Sequence, residues 1–164
     1  MYRLLALTLL TAATAAAQID VGYRLHSSEV PRASKQECAT SPAQTYPCFA
    51  DVTLGGTKFN VVAYDDRRLV RYLFTTDAAF STKTGLHVGD WVEVDEKDVV
   101  LVPGWHICGP RTADGWRLVF GSDLDESEKQ VTYEDGTPVN FIHTIESSPK
   151  RGKLRIVGFE KGEV

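Results

Sequence analysis

The chain has 164 residues, 43% of them hydrophobic, and a formal charge of −4 at neutral pH. That length suits one domain, large enough to bury a core without a metal or a cage of disulfides. An acidic chain whose basic residues lie scattered among acids lacks the electrostatic footprint of a nucleic-acid binder, so nucleic acid is excluded as a partner class.

The first stretch, MYRLLALTLLTAATAAAQ, has one basic residue (Arg3), a short apolar run and then small residues. This is the layout of a secretory signal peptide, with Ala15 and Ala17 at the small positions before the cut. Residues 4–17 are too few to span a bilayer, which needs about 20 apolar residues. No cysteine stands at the cut, so no lipid anchor is expected. Removing residues 1–17 leaves 147 of the 164 residues and takes one positive charge with it. A soluble, exported product, periplasmic or extracellular, is the expectation.

Residues 18–48 read as a polar arm. The segment HSSEVPRASKQECATSPAQTYP (26–47) shows no period and reads as a draped loop. Export makes disulfides admissible, and Cys38, Cys48 and Cys108 allow one pair and one leftover. Cys38 with Cys48 is the expected pair, because it closes a short loop worth roughly 2–3 kcal/mol in the chain-entropy model. Cys108 is then a buried, inert thiol, with pairing to either of the others as the alternative.

A single β-rich domain is expected over 49–164. In FADVTL, Ala50, Val52 and Leu54 alternate with polar residues, the period of a half-buried strand. Gly55-Gly56 suits a primed hairpin turn. The return strand KFNVVAY places Phe59, Val61 and Ala63 on one face, and LVRYLFT places Val70, Tyr72 and Phe74 on one face. The stretch FSTKTGLHVGDW (80–91) fits neither regular period, and Gly85 and Gly89 suit corners. Asp90 and Glu93 could cap a short helix, yet WVEVDEKDVVLV also alternates. Residues 91–96 are therefore open between helix and strand, and 98–102 reads as a strand. Further strands are expected at 105–108, 116–120, 131–133, 139–145 and 153–159, separated by turn-forming residues. The sum is a mainly β fold: an antiparallel meander forming a small sandwich or barrel-like domain, with at most one or two short helices.

Fragments that suggest chemistry mostly dissolve. Ser147-x-x-Lys150 and Lys83-Thr84-Gly85 resemble elements of the serine β-lactamases and penicillin-binding proteins. Their order is reversed, Pro149 breaks the helix the mechanism needs, and the S-D-N element is missing. GLHVGD lacks the pattern of a phosphate loop, and Asp90 would repel an anion. The histidines (26, 87, 106 and 143) show no zinc spacing. His106 and Cys108, two apart on a strand, share a face and are the candidate pair for nucleophilic chemistry, or with His143 for metal binding. The acidic run SDLDESE (122–128) reads as a solvated loop. Trp91, Trp105 and Trp116 are candidates for binding if exposed at a groove, with Trp105 and Trp116 expected on one hairpin. GLHVGDWVEV followed by GWRLVF is similar to small bacterial envelope domains in which a helix start precedes a Trp-containing hairpin; no residue role follows from it.

The function expected is a binding or structural module of the cell envelope or exterior, without cofactor, whose partner is a protein or an extracytoplasmic polymer. The alternative is a small hydrolase or metal-binding protein whose site assembles from distant residues around His106.

Overall fold

The computed structural model describes residues 19–30, 35–41, 44–64, 68–102, 104–122, 130–141 and 148–163; over 35–41 and at Gln44 the description covers the backbone. The strands are β1 (Lys35–Ser41), β2 (Gln44–Leu54), β3 (Thr57–Tyr64), β4 (Leu69–Thr75), β5 (Trp91–Asp95), β6 (Val100–Leu101), β7 (His106–Arg111), β8 (Arg117–Ser122), β9 (Arg151–Arg155) and β10 (Gly158–Gly162). An 8-stranded antiparallel sheet runs in the order β1-β2-β3-β4-β10-β8-β7-β6, and β5 and β9 form a 2-stranded sheet. The fold is mainly β, as the alternation implied. β1 and β6 are not paired with each other, so the large sheet is open rather than a closed barrel.

The expected three-strand unit over 49–75 is present, and Gly55 and Gly56 turn its first corner at φ of 57° and 86°. Two bulges change which side chains face inward. In β2 the register shifts between Phe49 and Val52, and Asp51 takes a φ of 54°. Phe49, Val52 and Leu54 therefore enter the core while Ala50 stays exposed. In β4 Val62 pairs with Tyr72 and Ala63 with Val70, which leaves Arg71 as the extra residue. An extra residue reverses the alternation beyond it. Val70 and Leu73 consequently share the core face, and Tyr72 and Phe74 point to the opposite one. The single face expected for Val70, Tyr72 and Phe74 is corrected accordingly.

Other expectations also change. The arm expected over 18–48 contains β1 and the start of β2, so this segment belongs to the sheet. Its polar sequence is compatible with an edge strand, held by backbone bonds on one side only. Residues 91–95 are strand, paired with β9 from Trp91↔Arg155 to Asp95↔Arg151. Asp90 caps no helix; its carboxylate accepts from the His87 N–H at 2.8 Å. Among the described residues the helical part is one 3₁₀ turn, Glu96–Asp98, capped by the Asp95 side chain. The run 153–159 is split: Ile156 bonds to the corner at 89–90, and Val157 donates to Val119 of β8. One apolar run thus leaves the small sheet and enters the large one. Residues 131–133 contribute isolated bridges rather than a strand.

The main core lies on one face of the large sheet and is closed by the small one, with Leu73, Ile107, Leu154, Ile156 and Phe159 fully buried. A smaller cluster on the opposite face gathers Cys48, Val62 and Tyr72 beneath Tyr46, Phe74 and Trp105.

Candidate functional site

The bulge at Arg71 sends Tyr72 to the face where β7 presents His106 and Cys108 and β10 presents Glu160. Glu160 is the hub. Its Oε2 accepts from the Tyr72 hydroxyl at 2.8 Å and lies 2.9 Å from His106 Nδ1. Its Oε1 accepts from the Cys108 thiol at 3.3 Å and sits 3.7 Å from Arg117 Nη1. Tyr72 Oη is also 3.3 Å from His106 Nδ1. Phe74 covers the imidazole, with ring centroids 4.2 Å apart, and Trp105 flanks it at 5.4 Å.

Burial alone would raise the Glu160 pKa, but hydrogen bonds from His106, Tyr72 and Cys108 outweigh it and hold the carboxyl below its ordinary value. Glu160 is therefore an anion. The same burial, joined by the charge of Glu160, pushes the Cys108 thiol up to about 12 and raises Tyr72 as well. A thiol in that state is a proton donor to a carboxylate and not a nucleophile, since the thiolate is the reactive form.

The predicted pair His106 and Cys108 is thus brought together, through Glu160; His143, the further residue considered for a metal site, lies outside the described residues. Among the described residues no group of His, Cys, Asp and Glu could hold a metal ion. His26 stands beside the Tyr23 ring and His87 beside Asp90, both at the surface. The acidic run from 123 onward and Asp65-Asp66 also lie outside the described residues.

The tryptophans sit in separate places. Trp91 is 44% exposed on β5. Trp105 packs on Tyr72 and His106. Trp116 is buried in the main core, stacked on Phe59 at 6.0 Å and edge-on to Phe80 at 4.7 Å. The hairpin expected to join Trp105 and Trp116 does connect them, but they occupy its two ends. No exposed tryptophan groove forms among the described residues.

A cleft does form over Trp116. It has a volume of about 320 Å³, with Phe59, Phe80, Trp116 and Ile19 as apolar lining and Thr57, Ser81, Thr82, Lys83 and Asp114 among the polar lining. The rim is held rigidly. Asp114 accepts from the Lys83 backbone N–H at 2.9 Å and from the Thr112 hydroxyl at 2.7 Å. Thr82 caps its own turn, accepting from the Leu86 N–H at 3.0 Å, while Gly85 and Gly89 turn the corners at φ of 81° and 100°. The segment 80–91 therefore does turn a corner, and that corner forms one wall of the cleft. Tyr72, His106, Cys108, Arg117 and Glu160 do not line this cleft.

Sequence reasoning missed Glu160 and Tyr72. Glu160 follows Phe159 in an apolar strand, where alternation would place it in solvent, and Tyr72 was re-aimed by a bulge no period reveals. Comparison with family models, curated proteins and solved structures finds no match to this chain.

Proposed function

We propose that this chain is an exported β-domain that works by binding, using the cleft over Trp116 to hold an apolar group of a partner protein or extracytoplasmic polymer. The observation that carries the reading is the contrast between the two sites. In the cluster with reactive side chains, Tyr72, His106 and Cys108 all turn their polar groups on Glu160, and Phe74 and Trp105 pack against the imidazole. The cleft pairs an aromatic floor with hydrogen-bonding shoulders, the composition of a small ligand site. Export rests on the signal-like residues 1–17, and no described helix is long and apolar enough to cross a membrane. The Cys38–Cys48 disulfide belongs to the same proposal. The two residues lie on adjacent strands, with Cys38 opposite Tyr46, while Cys108 is free and buried.

Titration calorimetry with small apolar rings such as indole tests the cleft. A Kd on the order of 1 mM is expected for a fragment of that size. Ser81→Trp, which adds bulk at an exposed lining residue, should abolish the heat while leaving the unfolding midpoint unchanged. Equal binding by both proteins would defeat the reading.

A second reading is favoured by the convergence itself: Tyr72, His106 and Glu160 come from β4, β7 and β10 to within hydrogen-bond distance. A His–Glu pair can serve acid–base chemistry if substrate reaches it. Ester or peptide hydrolysis abolished by His106→Gln in a folded protein would establish that alternative.

A further inference from the structure

We propose an oxyanion-binding site in the hollow where β4, β10 and the β7–β8 turn meet, apart from the cleft over Trp116. The hollow has a volume of about 470 Å³ and is lined by Arg71, Arg111, Lys161, Tyr64, Asp20 and Glu163. In a chain with a net charge of −4, three cations around one depression run against the overall balance.

The two guanidiniums are positioned but not neutralised. Arg71, the bulge residue of β4, spends its Nε–H on the Glu163 carbonyl at 3.0 Å, and its carbon lies 4.4 Å from the Tyr46 ring centroid and 5.5 Å from that of Tyr64. Arg111 donates one Nη1–H to the Gly115 carbonyl at 3.2 Å. Neither has a carboxylate partner among the described residues. Lys161 is different: it donates to the Asp114 carbonyl at 2.7 Å and pairs with Asp20 at 3.0 Å. Asp20 is thereby largely offset, which leaves Glu163 as the remaining lining carboxylate among the described residues against two arginines. Ring contacts and carbonyl bonds fix each guanidinium in place while leaving donors unused. Arginine held in this way favours bidentate capture of a carboxylate or phosphate. The ligand class is therefore a molecule bearing such a planar or tetrahedral oxyanion.

The test is NMR detection of the arginine Nε–Hε signals of the whole mature chain. It is titrated separately with inorganic phosphate and with acetate, at ionic strength held constant with chloride. A saturable shift at Arg71 and Arg111 with either anion supports the site, and the anion that saturates first identifies the headgroup. Arg111→Gln, at an exposed position, should weaken that Kd at least fivefold, and Glu163→Gln should tighten it. A drift no larger than chloride alone produces, or an unchanged Kd in Arg111→Gln, would overturn the proposal. Neither result bears on indole binding in the cleft.

Discussion

At the scale of single residues, Glu160 determines how the opposite face of the sheet is held. Three side-chain donors converge on a carboxylate that burial would otherwise neutralise. Glu160→Gln removes the charge that His106 and Arg117 face, and urea unfolding should show a loss of about 1–3 kcal/mol. Because the folded carboxyl titrates below its ordinary value, its contribution is complete above about pH 4.3 and is lost as pH falls through the depressed value. Wild-type stability should therefore decline more steeply below that pH than that of the glutamine variant, and matching slopes would contradict the hub. Cys108 moves in the opposite direction. With its thiol at about 12 against an ordinary 9.0, its contribution is complete below about 9 and disappears as pH rises towards 12. A thiol-specific reagent at pH 8 should leave native Cys108 unmodified and react once denaturant is added.

At the scale of elements, bulges and close approaches decide what the strands present. A Cβ at Gly162 would lie 2.1 Å from the Arg71 carbonyl oxygen, and its φ is +105°. The atoms nearest a Cβ at Gly109 would be those of the Phe120 ring edge, the first at 2.3 Å. Backbone cannot yield as a side chain can, so Gly162→Ala should cost more stability than Gly109→Ala, by about 1–3 kcal/mol. Calorimetric unfolding of the two variants decides the order. Glu96 is a second such clasp: buried in the 3₁₀ turn, its carboxylate accepts from the backbone N–H groups of Asn140 and Lys150, either side of residues 142–147. Glu96→Ala should make proteolysis between 140 and 150 markedly faster, and unchanged cleavage would remove that role. These elements also mark what the sequence revealed. Alternation and the Gly55-Gly56 pair made β2, β3 and β4 legible, because a half-buried antiparallel strand must repeat every second residue. The extra residue at Arg71 was not legible, since a bulge leaves composition unchanged, and with it went the direction of Tyr72. β1 was hidden by its polar edge position, and the change of sheet at Ile156–Val157 by an unbroken apolar run. Of the candidate site, His106 and Cys108 were visible from spacing, whereas Glu160 comes from a strand 52 residues beyond Cys108.

At the scale of the whole molecule, an open sheet with a core on one face leaves a second face to be stabilised, and the Glu160 network does this with polar and aromatic groups together. The accessible features lie elsewhere, beside the turn of the β7–β8 hairpin, where the cleft over Trp116 and the arginine hollow are found. Under the proposed function, the division of labour is between a face that holds the fold together and a rim that meets other molecules. Amide and indole chemical-shift mapping of the labelled protein during titration with indole tests that division most directly. Perturbations centred on Phe59, Phe80, Ser81 to Lys83 and the Trp116 indole, with Tyr72, His106, Cys108 and Glu160 unmoved, are predicted. Shifts centred on His106 and Glu160 instead, with the Trp116 indole silent, would contradict it.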